Sequence, residues 1–253
     1  MYFSLLGPIE VWQEGRLLPA GSSRERLILA IMLLNANKLT PMTKLIDAVW
    51  AESPRSAKAQ LHNMICKLRR RLHAASDYLI VTRPMGYELR LHAHQLDLLE
   101  FRRLVSQAQL ASSANHHELA TVLFAKALSL WRGPALADLP QPHADLTRQT
   151  LHEEQLFAAE ARLDSDLMLA RHHEVLRDLA ELIVDHPYRE RLHEIKLLAL
   201  IATGRRADAL TTYREVYRLL TTDLGIEPGP ILRALELQIL RGNNTVARTG
   251  IDL

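Results

Sequence analysis

The chain has 253 residues, 48% hydrophobic and 24% charged, with a formal net charge of +2. That length accommodates two modest domains or one large one, and neither a bilayer-spanning apolar run nor a signal-peptide layout is present. A single cysteine, Cys66, excludes an intrachain disulfide framework, so the expectation is a soluble cytoplasmic protein without a membrane partner.

The first elements read as strands. Tyr2–Gly7 and Ile9–Trp12 are separated at Gly7-Pro8, and the turn Gln13–Gly15 leads into Arg16–Leu18. Together they suit a small antiparallel sheet. Ser22, with Glu25 three residues on, signals the start of a helix over Glu25–Asn35, with the stripe Leu27, Ile28, Ile31 and Leu34. Pro41 opens a second helix, Met42–Trp50, from the favourable first position. Ala51–Ser56 is a loop.

Ala57–Leu72 is the most informative segment. On a helix, Leu61, Met64, Ile65, Leu68 and Leu72 share one face at the spacing of a buried stripe. The remaining faces carry Lys58, Gln60, His62, Asn63, Lys67, Arg69, Arg70 and Arg71. Cations that meet phosphates, beside amides and imidazoles that hydrogen-bond to base edges, suit a helix lying in a DNA major groove. Two strands follow, Tyr78–Thr82 and Tyr87–Leu91, around the turn Arg83–Gly86. Sheet, three helices and terminal hairpin are the order of a winged helix-turn-helix, with Arg83 in the wing, placed to enter a minor groove or grip a phosphate.

From Gln95 the pattern is helical, near 97–112, 115–131, 142–170, 172–185, 189–203, 206–222 and 230–241. Three triplets repeat one spacing: Ala120/Phe124/Ala127, Val175/Leu179/Leu182 and Ala209/Tyr213/Val216. The last two are offset by 34 residues, the tetratricopeptide period. The expected fold is therefore mainly α: a winged helix-turn-helix with a small sheet and hairpin wing, then an all-α tetratricopeptide-like region. The expected domains are 1–93 and 94–242, with a disordered tail over 243–253. The charge divides with them. Residues 1–93 hold 13 Lys and Arg against 7 Asp and Glu, and the rest hold 18 against 22. Such a split points to a polyanion at the front only.

Chemistry finds no machinery. His116-His117, His172-His173 and His92/His94 lack companion ligands at metal spacing, and Thr121 stands where a zinc-protease motif would need histidine. Phosphate-binding glycine loops and the G-x-S-x-G elbow are missing from the sequence. The chain therefore reads as a binding protein rather than an enzyme, with no catalytic residue, metal or cofactor.

Several segments together resemble the SARP-type transcriptional activators of actinobacteria. At the front these are Leu6–Val11, Leu45–Trp50, Leu68–Leu72 and Thr82–Tyr87; at the rear, Leu130–Leu136, His186–Arg191 and Asp223–Pro230. The resemblance implies an OmpR/PhoB-type DNA-binding domain followed by a bacterial transcriptional activation domain. It implies binding to direct repeats overlapping the −35 region of promoters, as a dimer on DNA. It also implies recruitment of RNA polymerase, with the loop holding Glu52, Ser53, Pro54 and Arg55 facing polymerase or sigma factor. A chain ending soon after Arg241 would lack the nucleotide-binding and sensor regions of larger relatives. On the PhoB-type frame, Gln60, His62, Asn63 and Lys67 are the base-contacting candidates. Lys58, Arg69, Arg70, Arg71 and Arg83 are the backbone or wing candidates. For each the plainer alternative is a solvated surface side chain, an alternative strongest at Lys58 and Arg71. A repressor of the same fold, or a helical adaptor that binds protein instead of DNA, are the competing functions.

Overall fold

The computed structural model describes residues 1–72, 79–139 and 145–241. Strands β1 (Tyr2–Ser4), β2 (Glu10–Gln13) and β3 (Arg16–Leu18) form an antiparallel sheet in that order, with Phe3 opposite Val11 and Trp12 opposite Leu17. Phe3 and Val11 point into the core, as alternation along a half-buried strand requires. Helix α1 (Ser23–Leu34) starts with a reciprocal capping box. The Ser22 hydroxyl accepts the Glu25 N–H, and the Glu25 carboxylate accepts the Ser22 N–H.

Next come β4 (Leu39–Pro41), α2 (Met42–Val49), α3 (Ala57–Leu72), β5 (Ile80–Arg83) and β6 (Gly86–Leu89). The second sheet runs β4-β6-β5, antiparallel throughout. Strand β4 has no signal in the sequence, because three residues ending in proline are too few to show alternation. The single stripe expected of the first helix needs correcting. Leu27, Ile28, Leu29, Ala30, Met32 and Leu33 are all buried, while Ile31 and Leu34 are half-buried. The reason is that α1 packs against α2, α3 and β6, so it is enclosed on more than one side. Tyr78, expected to start a strand, lies outside the described residues, as do the expected helix start at 142–144 and the expected disordered tail 243–253.

The first strand ends at Ser4 rather than Gly7 because the peptide groups beyond it bond to distant residues. Asp97 opens α4 (Asp97–Ser113) and is 1% exposed. Its carboxylate accepts the N–H groups of Leu5 and Leu6, at 2.8 and 2.9 Å, and that of Leu98 at 2.7 Å. Burial pushes this carboxyl above its ordinary value, and the three N–H donors and Arg132 pull only partly the other way. Arg132 and Leu136 donate their N–H groups to the carbonyls of Leu6 and Leu5, and Asp138 accepts the N–H of Ile9. The Arg132 guanidinium bonds to the Pro8 carbonyl and lies 2.6 Å from Glu10. All of these residues belong to one compact unit, made of residues 1–107 and 125–158.

A second compact unit takes residues 108–124 and those from 159 onward. The remaining helices are α5 (His117–Leu128), α6 (Asp145–Met168), α7 (His172–Asp185), α8 (Glu190–Ala202), α9 (Arg206–Leu219) and α10 (Pro230–Arg241). Helices α7, α8, α9 and α10 pack in succession. Val175 and Leu179 are buried in one cluster with Leu192 and Ile195; Ala209, Tyr213 and Val216 are buried in another with Leu232 and Leu235. The triplets read from the sequence therefore mark packing positions. The helix expected over 206–222 instead passes into a π-helical turn, Leu220–Leu224, closed by Gly225 at φ +68°. Two of the motif segments hold each other: Glu190 accepts the Gly229 N–H at 2.6 Å, and the Tyr188 hydroxyl donates to Asp223 at 3.2 Å. Among the described residues no helix is long and apolar enough to cross a membrane.

Candidate nucleic-acid interface

Helix α3 buries Ala57, Leu61, Ile65, Leu68 and Leu72. Met64, expected in that stripe, is only half-buried, at its margin. Successive residues turn by about 100° around a helix, so the direction opposite the buried face is set by the sequence. It falls on Ala59, Asn63, Cys66 and Arg70, with Lys67 beside them. Asn63, Lys67 and Arg70 are exposed. Among the described residues none of these three side chains has a hydrogen bond or ion pair, and neither does that of Lys58.

The other candidates are engaged. Gln60 is half-buried and its amide donates to Ser56 Oγ at 2.9 Å. His62 Nε2 lies 3.6 Å from Cys66 Sγ, one turn along the helix. Arg69 is turned toward the hairpin. Its Nε and Nη2 donate to the Ile80 carbonyl at 3.1 and 2.9 Å, Nη2 reaches Thr82 Oγ1 at 2.7 Å, and the guanidinium lies over the Tyr87 ring. Burial pushes the Tyr87 hydroxyl up, against the opposing pull of Arg69. Arg71 donates to Glu25 Oε2 at 2.6 Å. Burial acts to raise the Glu25 carboxyl, but Arg71 and the Ser22 groups outweigh it and hold it below the usual carboxylate range.

The wing is narrower than the expected four-residue turn. Arg83 pairs with Gly86 in the ladder, so only Pro84 and Met85 form the tip. Met85 is 72% exposed, while its carbonyl accepts the Met42 N–H at the start of α2. The Arg83 guanidinium, expected to point to DNA, donates to Glu88 at 2.7 Å. Glu88 also takes Arg90 at 2.9 Å, and the two arginines, Arg90 first, draw its carboxyl below the usual range. Gly86 lets the hairpin close on β4: a Cβ there would lie 2.1 Å from the Thr40 carbonyl oxygen.

Glu52, Ser53 and Arg55 are exposed in the loop between α2 and α3, and Pro54 is half-buried. Trp50, under Arg24, closes α2 and fixes the base of that loop. Among the described residues no three His, Cys, Asp or Glu side chains converge to hold a metal ion.

The sequence reading missed Glu88 as an anchor and took Glu25 only as part of a helix cap, not as the seat of Arg71. Glu88 was within reach of it. In the hairpin register Glu88 lies opposite Val81, which places Arg83, two residues along the same strand face, on its diagonal. Glu25 carried no such signal, since its partner lies 46 residues away.

Residues 96–240 match the family described as "Bacterial transcriptional activator domain", and residues 19–89 match "Transcriptional regulatory protein, C terminal". The regulatory protein AfsR of Streptomyces griseus is 38% identical over 97% of this chain, which covers 25% of AfsR. The regulatory protein DnrI of Streptomyces peucetius is 30% identical, with 100% of this chain and 97% of DnrI covered. Mycobacterium tuberculosis EmbR, solved in complex with a low-affinity phosphopeptide, superposes with a TM-score of 0.91 at 34% identity. That superposition covers 95% of this chain and 65% of EmbR. The chain thus spans a quarter of one of these relatives, under two thirds of another and nearly all of a third.

Proposed function

We propose, from the premise that the chain belongs to the SARP-type family of bacterial transcriptional regulators, that it activates transcription by binding directly repeated promoter sites near the −35 region and holding RNA polymerase there. The observation that carries this reading is the outward line of α3, where Asn63, Lys67 and Arg70 are exposed, with no side-chain partner among the described residues, beside a hairpin wing. Asn63 reads a base edge, since an amide can bond in bidentate fashion to adenine. Lys67 reaches guanine or a neighbouring phosphate, and Arg70 and Lys58 grip phosphates. Residues 1–93 supply the DNA contacts and 94–242 the activation region. The exposed loop with Glu52, Ser53, Pro54 and Arg55 faces polymerase or its sigma factor. Two protomers occupy the repeated half-sites. The regulated genes, as the resemblance to the SARP-type activators implies, serve secondary metabolism.

The test is selection of bound fragments from a random DNA pool, followed by footprinting. The expected outcome is two half-sites in direct repeat, about one helical turn apart. Asn63→Ala should relax preference at one base position, and Arg70→Ala should weaken matched and mismatched sites alike. Identical behaviour of the two substitutions on both kinds of site would remove the assignment of roles. Retention on DNA that is weak and insensitive to salt would favour the adaptor.

A further inference from the structure

We propose that the three consecutive arginines of α3 divide their work: Arg70 alone is left to the duplex, while Arg69 and Arg71 are positioning residues that lock the helix to the wing on one side and to the start of α1 on the other. This rests on the reading of α3 as the DNA-facing helix, and it reassigns Arg69 and Arg71 from phosphate contacts to struts.

At about 100° per residue, Arg69 and Arg71 flank the buried face of α3 at its two margins, with Arg70 between them on the outward side. Each flanking residue meets a prepared seat. On the hairpin side β5 is an edge strand. The Leu79 carbonyl accepts the Arg90 N–H across the ladder, so the next carbonyl, that of Ile80, points away from β6. It is this otherwise open acceptor that two nitrogens of Arg69 converge on, with Thr82 Oγ1 as a second acceptor. A planar fork can make that set of bonds; an ammonium group cannot.

On the other side, a single oxygen of Glu25 receives both the Ser22 N–H at 2.9 Å and Arg71 Nη1 at 2.6 Å. The Glu25 side chain is only 4% exposed. Gly21, at φ +92°, leaves the room: a Cβ there would lie 2.2 Å from Arg71 Nη1. Two struts at opposite shoulders prevent α3 from rotating about its axis. They therefore fix where Asn63 points and how far the wing tip stands from it.

The experiment compares Arg69→Lys, Arg70→Lys and Arg70→Ala with the unchanged chain on a selected duplex across salt concentrations. A phosphate contact tolerates lysine, and its loss lowers the slope of log affinity against log salt by about 0.9. Arg70→Ala should show that loss, and Arg70→Lys should restore most of it. Arg69→Lys keeps the charge but not the fork. It should bind about tenfold more weakly at every salt concentration, by analogy with lost orienting contacts elsewhere, with the slope unchanged and wing-side protection gone from the footprint. A second readout needs no DNA. Amide exchange over residues 80–83 and 86–89 should quicken in Arg69→Lys and stay unchanged in Arg70→Ala. Full affinity in Arg69→Lys, or an undisturbed hairpin, would overturn the strut. A hairpin loosened by Arg69→Lys in a protein that binds no duplex would support the strut and overturn the DNA reading instead.

Discussion

Helix α3 and the helices from α6 to α9 are both rich in arginine and leave different shares of their cations unpaired. In the second unit most arginines are paired internally, while Arg214 and Arg218 on α9 are exposed with no side-chain partner among the described residues. Arg162 pairs with Asp178, Arg171 with Asp166, Arg189 with Glu160, and Arg191 with both Asp164 and Glu194. Along α3, Lys58, Lys67 and Arg70 have no carboxylate partner among the described residues, although Arg71 does. The lesson is that net charge by halves is a coarse guide. The charge left over after internal pairing decides which surface meets a polyanion. An unpaired cation has only to release counterions from DNA, whereas a paired one must first surrender its carboxylate.

That contrast can be broken at four positions. Gly86→Ala should have the largest effect. Its new Cβ meets a backbone oxygen at 2.1 Å that cannot swing aside, so β6 must leave β4. A loss of about 3 kcal/mol is expected, with wing-side DNA protection abolished, as thermal unfolding and footprinting would show. A neutral outcome would mean that the hairpin does not need its hold on β4. Next, Arg191→Ala should lower stability by about 1–2 kcal/mol, because its partner Asp164 is partly exposed but Glu194 is buried and loses its cation, and leave DNA affinity untouched. Arg70→Ala should do the reverse. Calorimetry and fluorescence titration on the same samples would separate the two, and equal effects of both substitutions on both readouts would erase the distinction. The smallest effect belongs to Glu88→Gln. It releases Arg83 toward the duplex and should tighten binding about two- to threefold, without regard to sequence. A gel-shift series with unrelated duplexes would register the change; weaker binding would show that Glu88 orients the wing instead of restraining it.

What could be read in advance follows from the range of the interactions. The span of α3, the capping box at Ser22 and Glu25, and the triplets ending at Val216 all rest on neighbours within one or two helical turns, and the structure has them as expected. The end of β1 at Ser4 was hidden because Asp97, which captures the next two N–H groups, is 92 residues from Leu5. Strand β4 was hidden for a related reason: only its pairing with β6 makes it a strand. At the interface, residue types on α3 were legible, but their availability was not. The sequence shows three consecutive arginines; the fold gives one to the hairpin, one to α1 and leaves one with no side-chain partner among the described residues.

We propose that the outward line of α3 meets duplex DNA through cations that have no side-chain partner among the described residues. Titrating the purified chain against a selected duplex between about 50 and 200 mM salt tests it most directly. The account predicts that affinity falls steeply and linearly on logarithmic axes, and that Arg70→Ala makes the line shallower by about one contact. A flat line, or a slope indifferent to Arg70, would contradict it.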